Sequence, residues 1–155
     1  FGFIVNCAVA PIGAVFTLVC IVSGSLWGKP MWGTWWVWDA RLTSMLILFL
    51  LFMGYIALSN AFEKSERGSR PAALLAIAGS INLPIVKFSV NWWSTLHQPA
   101  SIMRTGGVTI DNSMLLPLVI MFLAFQLFFI LIIIFRSHSI LIERKMQHLK
   151  IMGKL

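Results

Sequence analysis

Acidic residues are scarce in this chain: five Asp and Glu among 155 residues, with charged residues of both signs at only 11%. Soluble domains carry about a quarter charged residues, so a water-solvated globule is excluded and lipid is the expected solvent. Cysteine is also sparse. Cys7 and Cys20 lie thirteen residues apart in one apolar run, about 20 Å along a helix, too far for a disulfide, and both read as packing residues. There is no Cys-x-x-Cys-His, so the chain is not itself a c-type cytochrome. It also lacks a glycine-rich phosphate loop, a Ser-His-Asp set, a zinc-ligand spacing, internal repeats and low-complexity tracts. No basic segment or small-residue cleavage site precedes the first apolar run, so that run is expected to be a membrane span and not a signal peptide. The start at Phe1 reads as a fragment whose upstream part is missing.

What the chain has is hydrophobic length. Apolar residues make up 59%, and the mean hydropathy is +0.88. A bilayer core needs about 20 mostly apolar residues per helix. Four runs qualify: Phe3 to Leu26, Leu42 to Phe62, Ala72 to Val90 and Met114 to Phe135. The expected fold is therefore all-α, a polytopic transmembrane helical bundle of four spans forming one integral membrane domain over residues 1–155. Residues 27–41 and 91–112 would be loops on one side, and residues 136–155 a tail on the other.

Local signals refine this. Ser23, Gly24 and Ser25 are small enough for close helix packing. Gly28, Pro30 and Gly33 predict irregular backbone from Trp27 to Gly33. Thr34 is a candidate cap for a short interfacial helix running through Trp38 into the second span. Pro71 suits the first position of the third helix, Pro84 beside Asn82 predicts a local kink, and Lys87 can snorkel to headgroups. Asp111 and Ser113 are candidate caps for the fourth helix. Ile140, Leu141, Met146 and Leu149, set among basic residues, predict a helix lying on the membrane surface.

The net charge of +7 would suit nucleic acid, but its distribution points to a membrane. Lys64, Arg67 and Arg70 lie between the second and third runs, and Arg136, Arg144, Lys145, Lys150 and Lys154 follow the fourth. The opposite loops hold only Lys29, Arg41 and Arg104. The positive-inside rule puts the eight on the cytoplasmic or matrix side and the three outside. Lipid is then the expected contact, and no nucleic acid is expected.

All seven tryptophans fall in the outer loops: Trp27, Trp32, Trp35, Trp36 and Trp38 in one, Trp92 and Trp93 in the other. An aromatic belt normally marks both interfaces; this cluster marks one, which favours a flat apolar platform for a large planar ligand. Haem fits that description, with two carboxylates at one edge and an iron that takes axial ligands. Lys29, Arg41 or Arg104 could meet the carboxylates, and His97 is the candidate iron ligand. Met31 and Met103 are weaker candidates for a second ligand, for which a residue upstream of Phe1 is the better expectation. His138 and His148 fall in the basic tail and read as solvated. Asp39 reads as an ion pair or cap shaping its loop. The candidate binding set is Trp32, Gly33, Trp35, Trp36, Trp38, Asp39, Arg41, Trp92, Trp93 and His97.

Two segments carry a resemblance. Trp-Gly-Lys-Pro-Met-Trp-Gly-Thr-Trp-Trp-Val-Trp-Asp-Ala-Arg-Leu-Thr-Ser, from Trp27 to Ser44, resembles the WWD signature of the haem-handling superfamily. Its Asp-Ala-Arg-Leu-Thr ending is similar to the CcmC branch; synthetase branches continue from the Asp with Pro and an acidic residue. Lys-Phe-Ser-Val-Asn-Trp-Trp-Ser-Thr-Leu-His-Gln-Pro, from Lys87, resembles the segment before the last CcmC helix, and the similarity spans nearly the whole chain. The resemblance implies a six-span protein of c-type cytochrome biogenesis that holds haem b at its outer face and passes it to the haem chaperone CcmE. It implies an ABC-type partner complex whose ATP site lies on another subunit. It makes His97 the second of two axial histidines, the first lying in an upstream loop that this chain lacks. The implied location is the bacterial inner membrane, or the mitochondrial inner membrane, with the site on the periplasmic or intermembrane-space side. The role is handling rather than clear enzymatic chemistry, with a lyase-like contribution to the haem–chaperone bond left open. Two alternatives stand beside it: a cytochrome c synthetase component, which predicts a longer chain with more histidines, and a structural permease subunit whose tryptophans are anchors only.

Overall fold

In lipid each apolar run must satisfy its own backbone hydrogen bonds, and this chain does so with helices. The computed structural model describes residues 2–61, 69–93, 95–97, 101–102, 107 and 109–153. Four helices follow in order: α1 Gly2–Trp32, α2 Ala40–Ala61, α3 Ser69–Trp92 and α4 Asn112–Ile151. All four are long and apolar enough to cross a membrane, and no strand occurs among the described residues. The protein is an all-helical integral membrane protein. The readings that rest on Lys64, Arg67, Met103, Arg104 and Lys154 lie outside the described residues.

Three boundaries differ from the sequence expectation. α1 does not stop near Leu26 but continues through Gly28 and Pro30 to Trp32, so Trp27 to Trp32 is helical rather than irregular. Gly28 is buried there. A Cβ on it would sit 3.1 Å from Cε3 of Trp32, so glycine leaves room for the indole one turn on. The helix ends at Gly33, whose φ of 78° is the left-handed conformation that stops helices, with its N–H donating to the Lys29 carbonyl at 3.0 Å. Thr34 caps nothing: its hydroxyl donates to the Trp36 carbonyl at 3.1 Å, and residues 33–39 are non-helical. Asp39 caps α2 instead, its Oδ1 accepting from the Leu42 N–H at 2.8 Å, the usual N-cap geometry. The expected surface helix is the continuation of α4, which runs unbroken for 40 residues, about 60 Å at 1.5 Å per residue. Residues 136–151 contain no Gly or Pro to interrupt it; Gly153, with φ 65°, follows its end.

The described residues group into two compact units, Ala10–Val108 and Phe1–Val9 with Thr109–Leu155. In the first, α2 packs on α3, and a core forms where Ala10, Tyr55 and Ala72 are buried with Phe52, Ile56, Leu75 and Ala76 against them. Small residues allow this approach. A Cβ on Gly13 would lie 2.5 Å from Cζ of Phe52, so the ring rests directly on the α1 backbone. The Ser23–Gly24–Ser25 stretch was the expected point of close approach, yet Gly24 has nothing within 4 Å of a Cβ position. Asn82 reaches across from α3 and donates to the Ser44 carbonyl of α2 at 2.9 Å, buried. In the second unit, Asp111 is the N-cap of α4 and Ser113 its donor, and no α4 residue is buried.

Candidate functional site

The end of α1, the turn 33–39, the start of α2 and the short stretch after α3 meet within the Ala10–Val108 unit. The contact that joins them spans 58 residues: His97 Nδ1 lies 2.7 Å from Asp39 Oδ2. Both side chains are withdrawn from solvent, His97 to 19% exposure and Asp39 to 6%. Asp39 thus uses one carboxylate oxygen to cap α2 and the other to hold His97. The Trp32 indole meets the imidazole edge-on, with centroids 4.8 Å apart, and Trp27 meets Trp32 in the same manner at 5.3 Å. T-shaped aromatic pairs of this kind contribute roughly 0.5–1.5 kcal/mol beyond area burial.

A cavity of about 410 Å³ opens beside this cluster, lined by Cys20, Ile21, Ser23, Gly24 and Trp27 of α1, Arg41, Leu42 and Met45 of α2, and His97. Its volume lies within the range of small-molecule and cofactor pockets. The wall is largely apolar, with one guanidinium and one imidazole. Arg41 is exposed, so its charge need not be desolvated to meet an anionic group. Lys29 does not line the cavity: its Nζ donates to the Gly33 carbonyl at 3.1 Å and lies 5.8 Å from the Trp35 ring centre.

The remaining candidates divide. Trp36 is half-buried and touches Trp38, centroids 5.5 Å apart; its Nε1 is buried and makes no hydrogen bond among the described residues. Trp35, Trp38, Trp92 and Trp93 are each more than half exposed and lie outside the cavity lining. Trp92 instead stacks on Phe88 at 5.5 Å and touches Trp93. Gly33 serves the α1 terminus. Met31, at 57% exposure, is not in the wall, and His138 and His148 are exposed on α4. No group of three metal-ligating side chains occurs among the described residues.

Sequence reading named Arg41 and counted Trp27 among the loop tryptophans but missed the rest of the α1 and α2 walls. Cys20, Ser23, Gly24 and Trp27 stand at i, i+3, i+4 and i+7, one face of a helix, with Ile21 beside them, and Met45 stands three and four residues after Leu42 and Arg41. That face carries small residues leading up to Trp27, a signal visible once α1 is allowed to continue past Leu26.

Within this all-helical membrane protein, Trp27, Arg41 and the Asp39-held His97 therefore come together at one cavity. The family model for heme exporter protein C, CcmC, matches residues 2–152. The Bradyrhizobium diazoefficiens protein named heme exporter protein C is 52% identical over 145 residues, covering 94% of this chain and 55% of that protein. Its namesake in Haemophilus influenzae is 48% identical over 136 residues, covering 88% and 55%. A ccmC-like mitochondrial cytochrome c biosynthesis protein of Marchantia polymorpha is 52% identical over 126 residues, covering 79% and 52%. The chain belongs to the heme exporter protein C family. It spans about half the length of these curated relatives.

Proposed function

We propose that this chain is the haem-holding part of a membrane protein of c-type cytochrome biogenesis. It would keep haem b at the outer face of the bacterial inner membrane, or of the mitochondrial one, for delivery to the haem chaperone CcmE alongside ABC-type maturation subunits. The observation that carries this reading is the meeting of His97, from one Trp-rich segment, with Trp32 and Asp39 from the other, beside a cavity also lined by Trp27 and Arg41.

The residues present fit an iron porphyrin. His97 offers an imidazole for the iron and is its proposed axial ligand. Trp27, Leu42 and Met45 offer apolar wall, Gly24 allows close approach, and Arg41 provides a guanidinium suited to a propionate. The buried Nε1–H of Trp36, without a hydrogen-bond partner among the described residues, is a further donor for an acceptor at this end. The exposed Trp35, Trp38, Trp92 and Trp93 would offer apolar surface to a macrocycle in transit, and Lys29 sets the end of α1 and the placement of Trp35. When bound, haem supplies the iron and the redox chemistry; the protein's share is to hold, orient and release it. The excess of Lys and Arg on the opposite loops and tail supports an outward-facing site, with the four spans acting as one integral membrane domain.

Haem content decides the matter. The full-length protein purified in mild detergent should carry haem at near one equivalent by the alkaline pyridine assay, and His97→Ala should lower retention at least tenfold. Equal haem in both would remove His97 as a ligand. Reporters placed at Thr34 and Lys150 should read opposite sides of the membrane; the same side for both would overturn the outward placement.

A further inference from the structure

A histidine can serve a metal only through a nitrogen that bears a free lone pair, so the occupation of the other ring nitrogen matters. Here His97 Nδ1 is engaged by Asp39 Oδ2 at 2.7 Å. An ionised carboxylate accepts and does not donate, so against ionised Asp39 the hydrogen sits on Nδ1, and in the neutral imidazole Nε2 then has the lone pair. The carboxylate is itself fixed, because its second oxygen accepts the Leu42 N–H at 2.8 Å in the first turn of α2. Trp32 closes against the imidazole at 4.8 Å. The ring is therefore held at one edge by a group anchored to a transmembrane helix and flanked by an indole from the end of another.

We propose that Asp39 is the positioning residue of His97: it fixes the Nδ1–H tautomer, turns Nε2 into the site's ligand atom and strengthens that atom as a donor. The proposal rests on the haem reading above and assigns a separate role within it. Carboxylate partners of metal-bound histidines orient the ring and raise its basicity, and losing them typically costs about 10–100-fold in metal affinity. A more basic ligand favours ferric over ferrous iron, so the carboxylate's charge should lower the reduction potential of the bound haem. It also ties the turn holding Trp35, Trp36 and Trp38 to the ligand, since Asp39 ends that turn.

Two substitutions separate this role from helix capping, because Asn and Ser cap as well as Asp. Asp39→Asn keeps the size and the capping oxygen but removes the charge and puts an amide NH2 donor where the second acceptor stood; Asp39→Ser keeps a cap too short to reach His97. In the full-length haem-bound protein, both variants should bind haem about tenfold more weakly, and the haem that Asp39→Asn retains should show a midpoint potential shifted positive. Helicity and thermal midpoint of the haem-free forms should stay at wild-type values. In the haem-free wild type, ¹⁵N resonances of the His97 ring should report the Nδ1–H tautomer, and Asp39→Ser should show a mixture. Wild-type affinity, potential and tautomer in both variants, with haem still lost in His97→Ala, would overturn the proposal and leave the haem reading intact. Wild-type haem content in His97→Ala, or no haem in the wild type, would overturn both. Should Asp39→Ser fail to fold, the potential of Asp39→Asn decides alone.

Discussion

The cavity end of the Ala10–Val108 unit and the long helix α4 are both apolar and both carry basic residues, yet they are organised differently. At the cavity end, polar groups are spent on named partners: Asp39 on Leu42 and His97, Asn82 on Ser44, Thr34 on Trp36. Along α4, no residue is buried, and the carboxylate that matters is the cap at Asp111. Buried polar contacts fix one geometry, since breaking one strands a partner. The cavity end is thus held by named side-chain contacts, whereas α4 is not built around a buried residue of its own.

The sharpest way to break that contrast is inside the packed unit. Gly13→Leu drives a side chain into the Phe52 ring, which already lies 2.5 Å from where a Cβ would sit, and overpacking of this kind costs about 1–3 kcal/mol. A leucine on an α4 position such as Ala124 should leave the thermal midpoint in detergent unchanged. Equal loss at both positions would erase the distinction. A second comparison lies within the tryptophans. Trp32→Ala removes the imidazole's aromatic neighbour, about 1 kcal/mol, and should weaken haem retention roughly fivefold. Trp36→Ala and Trp38→Ala should instead impair chaperone loading more than membrane insertion. Equal loss of loading and insertion would make the indoles anchors.

The smallest effect belongs to α4. Asp111 is held below the ordinary carboxylate value because the Ser113 hydroxyl donates to it at 2.6 Å and the Ser113 N–H at 2.9 Å. With the folded value depressed, the cap's contribution is complete above the ordinary carboxylate range and fades only as pH falls through the lowered value. The group is fully exposed, so the change is slight. Amide exchange at Leu115 should hold steady down to the ordinary carboxylate range and quicken below it, whereas in Asp111→Asn that acid limb should vanish.

Much of this was legible in the residues. Twenty-residue apolar runs separated by charge gave four helices, because lipid leaves the backbone no alternative. Trp32 of the first Trp-rich segment meets the His97 imidazole, whereas Trp92, nearer to it in sequence, stacks on Phe88. The Asp39–His97 contact was not legible, since it joins positions 58 residues apart and no local pattern encodes which loop residue a tertiary fold will bring to another. Reading Gly28, Pro30 and Gly33 as three equal breakers obscured α1's true end. Only Gly33 takes the left-handed conformation, whereas Pro30 falls in the last turn and Gly28 makes room for Trp32. The polarity after Phe135 marks the end of an apolar run but not of α4, which continues to Ile151, because Lys, Arg, Glu and Gln are good helix formers.

The most direct measurement is chemical rescue of the imidazole. The absorption spectrum of haem-loaded, full-length His97→Gly should lose the wild-type low-spin bands and regain them when free imidazole is added. A wild-type spectrum in His97→Gly without imidazole would contradict the account.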